Sequence, residues 1–329
     1  LYSREARKRI EDLVDRVRPD VAHLHNIAHQ LSPSIIYGLK SKGVPIVQTL
    51  HDYKLVCPNY QMFVHGATCE RCADWRYYNA VVHTCMRDST VSSALVALEA
   101  YTHKLLGSYF RNVDLFIAPS GELRKRMIAH GVDESRIVHL PYSIALDGYE
   151  PRFDSDGYAV YVGRLAEGKG LTTLLNAAAK VRDVRLKILG SGPMEDELRE
   201  RVSREGLENV EFMGYRSGDE LRSLVGGALF VVVPSECFEN SPLTVYEAFA
   251  HGKAVVGSRM GGIPELVSEG ESGLIFDPGD AEGLASAMSE LWGDPARALG
   301  MGRAGRERVE THFGPSVHYD KMMAIYERV

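Results

Sequence analysis

The sequence lacks any run of about 18 consecutive apolar residues, so it predicts no transmembrane helix. It also lacks a basic-then-apolar start with a cleavage site, which argues against a signal peptide. Neither sign of charge is in large excess: 38 Lys and Arg against 44 Asp and Glu give a net charge of −6, and we expect no nucleic-acid partner. The chain has no initiator Met and opens at Leu1 inside a helical pattern, so we expect that its true N-terminus is missing.

The sequence does have an alternation of strands and helices, over residues 1–140 and again over 158–292. Alternation at this spacing implies right-handed crossovers and parallel sheets. The pattern predicts an α/β protein with two Rossmann-like domains whose parallel sheets face a cleft, with ligands beyond the carboxyl ends of the strands. The predicted domains are residues 1–150, with a Cys-bearing insertion at 53–90, and residues 151–314.

A glycine-rich loop, Gly163 to Gly170, follows a predicted strand and opens a predicted helix. Glycines permit close backbone approach, a helix N-terminus presents unpaired N–H groups, and Arg164 and Lys169 add two positive charges. This combination predicts a diphosphate site. The spacing is not that of a Walker A loop, and a glycine-rich turn with solvated cations is the alternative interpretation.

Two carboxylates, Glu239 and Glu247, flank the start of another predicted helix. Glu239 lies in the loop and Glu247 about one turn inside the helix, so each is placed to hold hydroxyls of a polyol ligand. The N–H groups of Ser241, Leu243 and Thr244 are expected to hold an oxyanion. Alternatively, Glu239 interacts only with the helix dipole and Glu247 is a surface residue.

These motifs occur together and in one order. Gly163-Arg164 and Lys169-Gly170 are followed by Glu239-x7-Glu247, then by Gly261-Gly262-Ile263-Pro264-Glu265 and Gly273-Leu274-Ile275. From about Val21 to its C-terminus the chain resembles the family 4 glycosyltransferases, which are retaining enzymes with the two-domain GT-B fold. The resemblance implies that a C-terminal helix at 315–329 completes the first domain. It also implies that a strand and a glycine-rich loop ahead of Val21 are absent from this chain.

The resemblance implies a role for each candidate residue. Arg164 and Lys169 would bind the donor diphosphate, Glu239 the donor sugar, and Glu247 the ribose hydroxyls. His51 matches the family's histidine beside the sugar and acceptor, although a histidine that only caps a strand end is the alternative. The expected catalytic residues are Glu239, His51, Arg164 and Lys169. The expected nucleotide-binding residues also include Gly163, Gly190, Gly192, Gly214 and Tyr215, and the groups expected on the acceptor side are His25 and Asn26.

The implied activity is retaining transfer of a hexose from a uridine or guanosine diphosphate sugar to a glycan or lipid-linked acceptor, in polysaccharide biosynthesis. No catalytic metal is implied, because Arg164, Lys169 and helix N-terminal amides supply the positive charge. A cytoplasmic location is expected, with contact to the inner face of the membrane through the first domain. The alternatives are a nucleotide-sugar-binding subunit without activity and a nucleotide-sugar epimerase.

Four of the five cysteines fall in one segment with the spacing C-x11-C-x2-C-x12-C. Four thiolates suit a tetrahedral structural zinc site, which is predicted here. Disulfides, an iron–sulfur cluster and unligated thiols are the alternatives. The four residues are Cys57, Cys69, Cys72 and Cys85. The fifth, Cys237, lies beside the predicted donor site and is expected to be a packing residue.

Overall fold

The computed structural model describes residues 2–329, so Leu1 lies outside the described part. The chain forms two compact units. Unit 1 holds the chain through Val64, Thr68–Pro141 and His318–Val329, and unit 2 holds His65–Ala67 and Tyr142–Val317. The main division falls at Pro141, ahead of the predicted boundary at 150. The reason is local: Ile144 packs in the core of unit 2, and its amide donates to the carbonyl of Phe313 at 2.9 Å.

The first 141 residues form six helices, six strands and two short 3₁₀ turns within the described part. The helices are α1 (Arg4–Val17), α2 (Ile27–Gln30), α3 (Ser34–Ser41), α4 (Asn79–Val82), α5 (Thr90–Leu106) and α6 (Gly121–Ala129). The strands are β1 (Ala22–His25), β2 (Ile46–Thr49), β3 (Phe63–Val64), β4 (Ala67–Thr68), β5 (Leu115–Ala118) and β6 (Ile137–His139). The 3₁₀ turns are Ala73–Trp75 and Glu134–Arg136.

The sheet of unit 1 is parallel, with strand order β1-β2-β5-β6. Its strands are short, and the two inner strands β2 and β5 are buried along their whole length, as expected for a parallel sheet. Val47 of β2 packs with Leu115 and Ile117 of β5, and Ile325 near the C-terminus covers the same face. This contact brings the last helix, α14 (Pro315–Tyr326), onto the sheet of unit 1, as the resemblance implies.

The rest of the chain forms six strands and eight helices. The strands are β7 (Ala159–Val162), β8 (Leu186–Leu189), β9 (Val210–Gly214), β10 (Phe230–Val233), β11 (Ala254–Ser258) and β12 (Gly273–Phe276). The helices besides α14 are α7 (Leu171–Lys180), α8 (Glu195–Arg204), α9 (Gly218–Gly226), α10 (Leu243–Ala250), α11 (Ile263–Leu266), α12 (Ala281–Gly293) and α13 (Pro295–His312).

The sheet of unit 2 is also parallel, with strand order β12-β11-β10-β7-β8-β9. The chain runs outward from β7 through β8 and β9, then returns to the other side of β7 as β10. Adjacent strands β7 and β10 therefore form the switch point of the sheet, and the loops after them start side by side. The predicted α/β class with two Rossmann-like domains and parallel sheets is confirmed.

The structure differs from the sequence prediction in three places. The alternation does not predict α2 or α13, and α13 carries three glycines along 18 residues. The insertion 53–90 contains the hairpin β3–β4 and the short helix α4. The apolar side of α5, predicted at 92–109, is turned outward: Leu95, Leu98 and Leu105 are 61%, 53% and 78% exposed. Within residues 2–329, no helix combines the length and the apolar character needed to cross a bilayer.

The close approach of the two switch-point loops leads to a stability prediction. Gly170 has φ +71°, and a Cβ there would overlap the carbonyl of Pro234. Gly170→Ala should therefore destabilise the protein by about 2–4 kcal/mol, since backbone strain and overpacking add. Gly206→Ala is the matched control, because Gly206 has φ +57° with open space around it. Its cost should be only about 1 kcal/mol. Equal losses in the midpoint of urea unfolding would contradict this interpretation.

Candidate functional site

The candidate donor site is built where the loops after β7 and β10 meet. The carbonyl of Gly168 accepts hydrogen bonds from the amides of Glu236, at 2.7 Å, and Cys237, at 2.9 Å. These bonds tie the glycine-rich loop to the loop that carries Glu239. The two loops therefore present their charged side chains together at the carboxyl edge of the sheet.

Lys169 and Glu239 form the central ion pair of this site. The Lys169 Nζ donates to Glu239 Oε1 at 2.7 Å, and the Ser235 hydroxyl donates to the same oxygen at 2.6 Å. Burial alone would lower the pKa of Lys169, but the Glu239 carboxylate outweighs it and raises that pKa. The lysine is therefore a fixed cation, and the Glu239 carboxylate has a fixed orientation.

Arg164 lies on the same loop as Lys169 and is exposed. Its backbone carbonyl accepts a hydrogen bond from the Tyr161 hydroxyl at 3.0 Å, which anchors the loop. Within residues 2–329 its guanidinium has no ion-pair partner, so it is available to an anion. Leu243 and Thr244 are the first residues of α10, so their amides have no acceptor inside that helix.

Glu247 lies in a different environment from Glu239. Its side chain is half-buried in α10, and burial raises its pKa. Within the described part of the chain no side chain pairs with its carboxylate. Burial and, secondly, the charge of Glu247 raise the pKa of the nearby Tyr149. A half-buried carboxylate without a partner is costly unless a ligand supplies donors. The pair of hydroxyls on a ribose would supply them.

Backbone forms another wall of the site. The amide of Gly190 donates to the carbonyl of Gly214 at 2.9 Å, and the amide of Gly163 donates to Leu189 at 3.0 Å. A Cβ on Gly190 or Gly192 would overlap a neighbouring carbonyl. Tyr215, at 70% exposed, follows this wall. The predicted nucleotide-framing residues thus lie on consecutive strand ends, but only Tyr215 offers a large side chain.

In unit 1 the predicted histidines meet at the ends of β1 and β2. The His25 Nδ1 lies 2.7 Å from the His51 Nε2, so one ring donates to the other. Burial lowers the pKa of both histidines, and His25 lowers the pKa of His51 further against the opposing effect of the Asp52 carboxylate. The pair is therefore neutral near pH 7. Asn26 takes the left-handed conformation, φ 45°, directly after the strand.

Sequence reasoning missed the groups that support these side chains. His23 bonds to the Tyr326 hydroxyl and to Thr49 Oγ1, each at 2.7 Å, and burial lowers its pKa to about 4. The alternation His23-Leu24-His25 places both histidines on one face of β1 and is a signal that sequence alone offers. The Ser235 contact to Glu239 gave no such signal beyond its position at a strand end.

The thiols of the four clustered cysteines are near enough in unit 1 to influence one another electrostatically. Cys57, Cys69 and Cys72 line one small cavity of about 150 Å³, whereas Cys85 lines a larger, separate one. In the described residues no group of three or more His, Cys, Asp or Glu side chains is arranged to hold a metal ion. All five cysteines are free thiols. The thiol of Cys72 hydrogen-bonds to Cys57 and lowers the pKa of Cys57. Zinc stays a prediction.

Burial raises the pKa of Cys237 to about 11, which suits a packing residue.

Both units of the chain are similar to known proteins. Residues 156–294 match the family described as glycosyl transferases group 1, and residues 1–147 match glycosyltransferase family 4. The structure of Anabaena Alr3699/HepE in complex with UDP is similar over 97% of this chain and 82% of that chain, with a TM-score of 0.75 and 18% identity. The chain thus has the GT-B fold, and the two glycosyltransferase family models match its two halves, each over less than half of the chain.

The relatives that match in sequence carry the names of several different glycosyltransferases. Glycogen synthase of Mycobacterium tuberculosis is 29% identical over 303 residues, 90% of this chain and 66% of that protein. Sulfoquinovosyl transferase SQD2 of Arabidopsis thaliana is 30% identical over 219 residues, 61% of this chain and 42% of that protein. Lipopolysaccharide core biosynthesis glycosyltransferase LpsE of Rhizobium meliloti is 30% identical over 213 residues, 63% of this chain and 62% of that protein. The chain therefore spans less than two thirds of the length of these three relatives.

The two basic side chains of the loop should each contribute to diphosphate binding. Arg164→Ala or Lys169→Ala removes a charge-assisted hydrogen bond, typically about 1.5–3 kcal/mol. Calorimetry with UDP should show about tenfold or more weaker binding for each. Lys180→Ala, at the other end of α7, is the control and should bind UDP normally. Unchanged affinity in both loop variants would remove them from the site.

Substitutions of the two carboxylates, Glu247 and Glu239, should have different effects on the binding of sugar-free UDP. Glu247→Gln should weaken binding of UDP, because its expected partner is the ribose. Glu239→Gln should leave UDP binding nearly unchanged and should mainly lower turnover, because its expected partner is the sugar. Calorimetry with the sugar-free nucleotide measures the difference. If both variants respond alike, the division of roles is wrong.

A zinc measurement tests the cysteine prediction. Protein purified without added metal or chelator should contain about one zinc per chain if the thiolates close a site on binding. Cys72→Ser should abolish the zinc content, whereas Cys237→Ser should keep it. Elemental analysis that finds no zinc in the unmodified protein would leave the thiols as an unligated cluster.

Proposed function

We propose that the protein is a retaining glycosyltransferase that moves a hexose from a nucleotide diphosphate sugar to a glycan or lipid-linked acceptor. The observation that carries the proposal is the switch-point site of unit 2. There, the loop that carries the oriented Lys169 of the Glu239–Lys169 pair also carries the unpaired guanidinium of Arg164, and the helix after the Glu239 loop carries a carboxylate, Glu247, without a partner in the described residues. Cations for a diphosphate and carboxylates for hydroxyls are the chemistry that a nucleotide sugar requires.

Each side chain has a defined task in this proposal. Arg164, Lys169 and the first amides of α10 stabilise the negative charge that develops on the leaving diphosphate. Glu239 orients the donor sugar, and Glu247 holds the ribose. The acceptor hydroxyl attacks on the face from which the diphosphate leaves, and a diphosphate oxygen takes the hydroxyl proton. These residues supply the positive charge that a metal ion supplies elsewhere, so no catalytic metal enters the proposal.

Uridine is the base favoured for the donor. The fold is similar to Anabaena Alr3699/HepE, whose structures are described with UDP, with UDP and glucose, and with UDP-glucose. It is also similar to a TarM variant in complex with UDP and a GlcNAc-glycerol ligand. We therefore expect a glucose or N-acetylglucosamine donor, and we place the transfer in polysaccharide biosynthesis as the sequence resemblance implies.

Donor hydrolysis tests this proposal without knowledge of the acceptor. The chain is incubated with UDP-glucose, UDP-N-acetylglucosamine or GDP-mannose, and the products are followed by proton NMR. We expect slow release of UDP and of a sugar whose first-formed anomer is α, as in the donor. Glu239→Gln should reduce the release, and Lys180→Ala should not.

The other outcomes distinguish the alternatives. A first-formed β anomer would contradict retention. Tight binding of UDP without release of sugar would indicate a nucleotide-sugar-binding subunit. An isomerised nucleotide sugar would indicate an epimerase.

A further inference from the structure

Tyr246 is a buried residue of α10 to which the proposed mechanism gives no task. Its side chain is 1% exposed, and the next residue is Glu247, the half-buried carboxylate of the candidate donor site. Successive residues of a helix point about 100° apart, so Tyr246 faces the core of unit 2 while Glu247 does not. A buried tyrosine hydroxyl needs hydrogen-bond partners, and those of Tyr246 connect distant parts of the unit.

The first partner lies in the donor loop, by which we mean residues 234–242 between β10 and α10. The hydroxyls of Tyr246 and Ser241 are 2.8 Å apart, so one donates to the other, and Ser241 is itself buried. After Ser241 the chain passes through the Pro242 cap to the first amides of α10, which are expected to hold an oxyanion. The bond therefore fixes the backbone from which those amides project.

The second partner is the backbone just beyond the main division between the units. That division follows Pro141, and Tyr142 is the first residue after it. The amide of Tyr142 donates a hydrogen bond to the hydroxyl oxygen of Tyr246. Burial raises the pKa of Tyr246 to about 12, so its hydroxyl keeps its proton near pH 7 and remains able to donate as well as accept.

The ring of Tyr246 makes a third connection, close to the point where the chain leaves unit 2. Phe313 packs edge-on against it, with the ring centroids 5.1 Å apart and an interplanar angle of 71°. The carbonyl of Phe313 accepts the amide of Ile144 at 2.9 Å. We call residues 142–144 and 313–317 the crossing segments. They are joined to each other and to Tyr246 within unit 2.

A second path leads from Phe313 to the donor loop. The guanidinium carbon of Arg308 lies 5.6 Å from the centroid of the Phe313 ring, and its Nη2 donates to the carbonyl of Glu265 at 3.0 Å. Glu265 ends a short turn in which the amide of Gly262 donates to the carbonyl of Glu239 at 2.9 Å. The crossing segments therefore support the donor loop at two places, through this turn and through the tyrosine.

We propose that Tyr246 is a positioning residue for the nucleotide diphosphate, and that it couples the donor loop to the crossing segments. Its hydroxyl holds Ser241, and with it the amides at the start of α10, while its ring and the bond from Tyr142 tie that position to the crossing segments. A bound diphosphate then stabilises the crossing segments, and a displacement of those segments weakens diphosphate binding by the same factor. This inference rests on the proposed donor site. The competing interpretation is a tyrosine that only stabilises the core.

Tyr246→Phe tests the hydroxyl, because it keeps the ring and its contact with Phe313. Calorimetry should show about fivefold weaker binding of UDP, the effect of losing one hydrogen bond that orients the amides. Tyr158→Phe is the matched control, since Tyr158 is also buried in unit 2 and its hydroxyl donates to the carbonyl of Leu224 at 2.8 Å. Both variants should lower the midpoint of urea unfolding, but Tyr158→Phe should bind UDP normally.

A double-mutant cycle tests the link to the donor loop. Ser241→Ala keeps the backbone amide and should weaken UDP binding about as much as Tyr246→Phe does. The double variant should bind no more weakly than either single variant, because both substitutions remove the same hydrogen bond. Losses of affinity that add would show that the two hydroxyls act separately and would overturn the link. If Tyr246→Phe does not fold, Ser241→Ala alone must show the loss.

Hydrogen exchange tests the link to the crossing segments. Saturating UDP should slow the exchange of amides in 142–146 and 309–317 of the unmodified chain. Tyr246→Phe should lose this protection when it is also saturated with UDP, whereas Tyr158→Phe should keep it.

Two kinds of failure are distinguishable. UDP affinity that is the same in Tyr246→Phe, Tyr158→Phe and the unmodified chain would overturn this inference and leave the donor site as proposed. So would exchange in the crossing segments that UDP does not change. An unmodified chain that does not bind UDP would refute the proposed donor site, and this inference with it.

Discussion

The candidate donor site depends on the close backbone approach of two loops at the switch point of the sheet in unit 2. At Gly170 and Gly261 a Cβ would overlap the backbone carbonyls of Pro234 and Glu239, so these positions require glycine. The approach lets Gly168 accept two amides of the opposite loop. Because the backbones are joined in this way, Lys169 and Glu239 meet although 70 residues separate them.

The ion pair neutralises one carboxylate of the site and leaves two other charged side chains available to a ligand. Glu239 is neutralised and oriented by Lys169 and Ser235, whereas Arg164 and Glu247 keep their charges available. A diphosphate has more negative charge than Lys169 alone can offset, so the second cation is needed. Unit 1 supplies a different kind of site, with the neutral pair His25–His51 beside a large cavity of mixed polarity. The C-terminal helix supports that site through the bond from Tyr326 to His23.

Sequence predicted the elements whose signals are local. The helix Leu171–Lys180 and the strand Leu115–Ala118 have the predicted bounds, because Gly170 and the buried aliphatic run mark them. Contacts between distant residues gave no signal, as for Tyr326 and His23, 303 residues apart. Periodicity also identified one apolar side of α5 but not whether protein covers it, and Leu95 proved exposed. Cysteine spacing likewise fixes distance along the chain and not position in space, so the zinc site at Cys57, Cys69, Cys72 and Cys85 stays a prediction.

Hydrogen exchange with and without UDP tests the assignment of the nucleotide diphosphate site to the switch-point loops of unit 2. This assignment predicts slower exchange of amides in 163–170, 190–192 and 236–245 when UDP is present. Uridine, which lacks the diphosphate, should leave 163–170 unprotected while still slowing exchange near Glu247. Protection confined to unit 1, or the same protection of 163–170 by uridine and UDP, would contradict it.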